Sequence, residues 1–174
     1  MEGVGEELSA EDQEKTRGEL DRAFARFEET QEHLAGFVAD ILARPLDDAA
    51  LALGYFLSIS VWLGFERAFP HRIGCVTEEA IQATQAAVAL EEELRAEHGE
   101  EPLDVDDVVA IEQPGILRFV NDHVDAALEV GDGSGSEIDV DDVHVVYRAI
   151  LVLTLALSQS VAPEKGIRPR EMLA

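Results

Sequence analysis

The sequence predicts an all-α protein. Five long helices and one short one form an irregular bundle around two strongly apolar central helices. Three observations carry that expectation. Residues 49–65, AALALGYFLSISVWLGF, hold no charge in a chain that is 29% charged. A second apolar run repeats Val143, Val146, Ile150, Leu153 and Leu157 at alternating spacings of three and four. The apolar content is mostly Ala, Val and Leu with only 6% aromatics, which favours helices packed closely through small side chains.

The 174 residues suit one domain with a real core. We expect a lead-in at 1–8, a helical domain at 9–162 and a tail at 163–174. The first long helix is expected from Ser9, its N-cap, to about Ala43. Its apolar register is Leu20, Phe24, Phe27, Leu34, Val38 and Ile41, interrupted only by Gln31. Pro45 ends it. Asp47 or Asp48 caps the second helix, which runs to about Phe69 before Pro70. Thr77 caps the third, with Val76 and Ile81 placed as a hydrophobic staple. Its expected stripe is Ala80, Ala83, Ala87, Leu90 and Leu94, and Gly99 stops it.

Asp104 opens the short helix, 105–112. Pro114 suits the first turn of the next, reaching about Val130, with Leu117, Val120, Val124 and Leu128 inward. The run 131–136, GDGSGS, reads as a linker. Asp139 caps the last helix, about 140–161, and Pro163 ends it.

Net charge is −24, with 37 acidic residues against 13 basic ones, of which 11 are Arg. Such a surface repels nucleic-acid phosphates and anionic membranes, so neither is an expected partner. Abundant carboxylates with almost no Lys resemble the composition of proteins from salt-accumulating cells. At about 1 M salt the Debye length falls to ~3 Å and the self-repulsion is screened. The carboxylates are spread evenly, with 14 before residue 49, 13 from 49 to 112 and 10 after. An even spread reads as a solvated surface rather than a nucleic-acid mimic. The single cysteine, Cys75, forms no intrachain disulfide, and no apolar signal core opens the chain, so a cytoplasmic setting is expected.

Several residues invite a sharper reading. Ala50, Gly54 and Ser58 form a small-residue stripe at spacing four, where another helix can approach, a candidate interaction surface. Residues 49–65 also raise a membrane span. Seventeen residues reach only about 26 Å against a hydrocarbon core of about 30 Å, and no basic flank anchors them, so a core helix is expected. Arg148 is a lone charge in an apolar helix, and Glu66 is its candidate partner in a structural ion pair.

His123 with Asp122, and His144 with Asp141, compose a candidate metal or acid–base site if their helices face each other. The plain alternative is polar outer-face residues. Asp132, Ser134, Asp139 and Asp142 resemble part of a calcium loop, but the first ligand position is missing and the terminal Glu is replaced. The plain alternative is helix capping. No phosphate loop, nucleophile elbow or redox motif is present, and no cofactor is implied.

The function expected is that of a non-enzymatic interaction, adaptor or assembly protein, acting as a homodimer or with a protein partner. The alternatives are a helical metal enzyme or ligand-binding protein using His123 and His144, or a membrane-associated protein.

Overall fold

The computed structural model describes the backbone of residues 10–98, 113–131 and 139–163, and side chains of 14–90, 93, 113–129 and 139–163. The helices are α1 (Ala10–Thr30), α2 (Glu32–Leu42), α3 (Asp48–Ala68), α4 (Glu78–His98), α5 (Pro114–Gly131) and α6 (Val140–Ser160). The protein is an all-helical bundle. The helix expected over 105–112, the Gly99 stop and the 131–136 linker fall wholly or mostly outside the described residues.

The two apolar runs form the central pair. Every residue of α6 from Ala149 to Leu157 is buried, a run that only a helix wrapped on all sides sustains. The α3 helix buries Ala50, Gly54, Leu57, Ser58, Ile59, Val61, Trp62 and Phe65. It packs against α1, α2, α5 and α6. The α3 helix is also long and apolar enough to cross a membrane, a test that the core helix of a soluble protein passes equally. The two run parallel, because Asp47 bonds the start of α6 while Gly54 lies against Val146 two turns on. Side-chain oxygens of Ser58 and Thr154 return to the carbonyls of Gly54 and Ile150, so neither buried hydroxyl is left unpaired.

The long first helix is broken. Gln31 leaves helical geometry at φ −134°, ψ 53°, and divides it into α1 and α2. The cause is the residue that interrupts the apolar stripe. Gln31 points inward, only 3% exposed. Its Nε2 donates to the Gly74 carbonyl (3.0 Å) and its Oε1 accepts from the buried Val76 amide (2.9 Å). An apolar side chain there would leave the Val76 N–H without a partner. The polar residue ties the first helix to the connector between α3 and α4.

That connector is held from the other side too. Ile73 pairs with Val161 in an antiparallel bridge, Gly74 N donates to the Ser160 carbonyl, and Ala162 N donates to the Arg72 carbonyl. His71 takes φ 61°, the left-handed turn that lets the chain reverse after Pro70. Arg72 Nε donates to the Ala162 carbonyl, and its guanidinium lies over the Phe69 ring.

The α4 face also differs from expectation. Ile81, Thr84 and Val88 are buried, with Val76 and Ile81 closing the staple as expected. Ala83 and Ala87 are exposed, as is Leu90 at 56%. The helix is turned so that Ile81, Thr84 and Val88 face inward and Ala83 and Ala87 outward, while Ala80 still packs against the core and the Leu94 side chain lies outside the described residues. Ile81 and Val88 each bury more apolar area than an Ala, which decides the register.

Candidate functional site

The small-residue stripe is the first candidate that the structure corrects. Ala50, Gly54 and Ser58 are buried inside the chain, under α2 and α6. A β-carbon on Gly54 would stand 2.7 Å from Leu42 Cδ2 and 3.3 Å from both Val146 methyls. The gap left at this seam is about 10 Å³, no larger than one water. The stripe admits the protein's own helices and offers no surface to a partner.

The ion pair is corrected as well. Glu66 bonds Arg26 of α1 at 2.8 Å, and the Arg26 guanidinium also lies over the Trp62 ring, 5.4 Å from its centroid. Because α3 and α6 are parallel and start together, Glu66 stands opposite the far end of α6. Arg148 lies some ten residues earlier, about 15 Å along the helix. The Arg26–Glu66 pair is half exposed, so its worth is below about 1 kcal/mol.

Of the calcium candidates, Asp132 and Ser134 lie outside the described residues. Asp139 and Asp142 take part in a reciprocal cap. Asp47 Oδ1 accepts from Ala50 N (2.7 Å), and its Oδ2 accepts from Asp139 N (2.9 Å). Asp47 N donates to Asp142 Oδ2 (2.7 Å), and Asp141 N donates to Asp139 Oδ1 (2.9 Å). The carboxylates thus cap two adjacent parallel helices, each partly through the other. The Ala50 amide holds the Asp47 carboxyl below its ordinary pKa; partial burial opposes this, and the Asp139 and Ala49 amides add to it.

The His pair does not converge as a metal site. His123 Nδ1 donates to the Phe119 carbonyl (2.8 Å), and its ring lies tilted against those of Phe119 and Phe56. Asp122 faces outward toward Arg118. Asp141 is exposed, its amide bound to Asp139. Among the described residues no three of His, Cys, Asp and Glu gather within reach of one ion.

His144 instead borders two clefts. One, about 260 Å³, lies between α5 and α6 and brings His144 to Asn121, Asp125 and Tyr147. The other, about 270 Å³, lies among α2, α4 and α6. Its floor is Phe37 and Ile41 from α2 with Val145, Ala149 and Val152 from α6. Its polar edge is Arg44, Gln85, His144 and Arg148.

Local periodicity builds this second cleft. His144, Arg148 and Val152 stand at i, i+4 and i+8 on α6, one above another. Phe37 and Ile41 repeat the spacing on α2, and Arg44 follows as that helix ends. Two residues singled out separately, His144 for metal and Arg148 for an ion pair, therefore share one wall. Arg44, Gln85 and Phe37 carried no signal of their own in the sequence. No family model, curated protein or solved structure matches the chain.

Proposed function

We propose that the protein is a non-enzymatic helical binding protein of a salt-rich cytoplasm, and that a small molecule seats in the cleft among α2, α4 and α6. The observation that carries this is the cleft's make-up: an apolar floor with a few polar groups arriving from separate elements, the usual composition of a ligand site. Its volume is near the lower end for such sites. The charge of −24 with few lysines supports the salt-rich setting.

A fragment screen by protein-observed NMR in about 1 M salt tests the reading. Fragments are expected to shift the amides of Phe37, Gln85 and Val152 together. Gln85→Trp, which fills the mouth from an exposed position, is expected to abolish those shifts without changing thermal stability. Fragments that never perturb the cleft would contradict the reading.

A second reading keeps the adaptor or homodimer. It rests on the outward face of α4, where Ala83, Ala87 and Leu90 are exposed. A dimer by light scattering that Leu90→Glu dissociates would favour it. The packing of α3 against four helices supports a core role over membrane association; recovery only with detergent would reverse that.

A further inference from the structure

We infer that the starts of α3 and α6 form one clasp, which closes and opens as a unit and holds one wall of the α5/α6 cleft. A self-contained helix start uses a capping box. Its N-cap side chain accepts from the amide three residues on, and that residue's side chain accepts from the N-cap amide. Neither α3 nor α6 closes such a box by itself. In α3 the N-cap is Asp47, whose Oδ1 accepts from Ala50 N, but the methyl of Ala50 has nothing to return. Asp142 of α6 accepts from Asp47 N instead, across 95 residues. In α6 the N-cap is Asp139, whose amide donates to Asp47 Oδ2 across 92 residues. Asp142 stands three residues after Asp139, the place of the returning side chain, yet it reaches over to α3. Each N-cap amide is thus accepted by the other helix.

The exchange of caps has a physical cause. Because α3 and α6 run parallel, their positive dipole ends, each worth about half a charge, lie side by side. A carboxylate between them offsets both at once, and the half-buried Asp47 and Asp142 are the two that cross. Asp47 takes part in both crossing bonds, as donor through its amide and as acceptor through its carboxylate. Each bond therefore fixes the geometry of the other, and loss of either loosens both first turns.

The clasp reaches the cleft through α6. Val140 and Val143 follow Asp139 directly and line the cleft of about 260 Å³ between α5 and α6, where Leu128 stands on the α5 side. No α3 residue lines it. An open clasp loosens this wall from a helix that has no part in the cleft.

Native-state amide exchange by NMR in about 1 M salt reads the clasp. The reporters are Leu51, whose amide donates to the Asp47 carbonyl, and Val143, whose amide donates to the Asp139 carbonyl. Both keep those backbone partners in the variants. Asp47→Ser retains an ordinary cap for α3 but is too short to reach Asp139 as well. It is expected to quicken exchange at Val143, on the unaltered helix, about fivefold relative to Leu153. Asp142→Ala is expected to do the same at Leu51 relative to Leu57. In the doubly substituted protein the effects are expected to fall short of their product, because the second change acts on a clasp already open. Relaxation dispersion of Asp47→Ser is expected to show the Val140 and Leu128 methyls exchanging at one common rate.

Substitutions that quicken only their own helix would overturn the clasp. So would effects that multiply in the double variant, or quickening no greater than at the fully buried Leu57 and Leu153, which report global unfolding. Dispersion at Val140 with Leu128 silent would overturn the clasp's hold on the cleft.

Discussion

Replacing Gln31 by Met separates two views of one residue. Met keeps the length, approximate volume and helix propensity of Gln and removes only the hydrogen-bonding amide. If Gln31 were merely a flaw in an apolar stripe, Met would stabilise the fold by burying more apolar surface. The structure gives the opposite sign. Val76 is 2% exposed, and its buried N–H would lose the Gln31 oxygen. A buried orphan donor costs about 1–3 kcal/mol. Gly74 is exposed, so its carbonyl can turn to water and costs little. Burial of the thioether offsets about 1 kcal/mol. The net loss is about 1–2 kcal/mol, or roughly 3–6 °C in Tm for a chain of this size. Thermal melts followed by circular dichroism in about 1 M salt read it. Amide exchange at Val76 should also quicken. A Gln31→Met variant as stable as the parent, or more so, would refute the argument that this side chain fastens the first helix to the α3–α4 connector.

Two further predictions concern the central pair of helices. Gly54→Ala gains about 1 kcal/mol in helix propensity but forces its methyl against Leu42 and the stiff, branched Val146. We expect a net destabilisation of about 1 kcal/mol that shrinks in a Leu42→Ala background, where the 2.7 Å contact is gone. Asp47 has a folded pKa below its unfolded value, so its contribution is complete above the ordinary Asp range and is lost as pH falls through the folded value. Asp47→Asn should flatten the fall in stability below about pH 4, and Asp47→Ala should cost about 1 kcal/mol at neutral pH through the lost cap.

The sequence makes the two central helices legible because their signal is local. Val143, Val146, Ile150, Leu153 and Leu157 all turn inward as their spacing requires. Caps at Asp47, Thr77 and Asp139 also form where the residue types point. The features that escape are those whose partners are remote in the chain. Gln31 meets residues 43 and 45 positions away, and Arg26 meets Glu66 across 40. No periodicity in either segment encodes such a meeting. The rotation of α4 escapes for another reason. Its alanine stripe and its Ile81–Thr84–Val88 stripe share the same period, and only the volume of the side chains chooses between them. The cleft combines both difficulties, since α6 supplies a regular wall while Arg44 and Gln85 arrive from elsewhere.

Backbone amide exchange on the protein in about 1 M salt, without detergent, tests most directly whether the chain covers its own apolar helices. The amides of Leu57, Ile59, Ile150 and Leu153 belong to core residues of the paired helices that are at most 1% exposed. They are expected to exchange only through global unfolding, with the same free energy in α3 and α6. Fast exchange along α3 while α6 stays protected, or protection of α3 only when detergent is added, would contradict a core that the chain covers by itself.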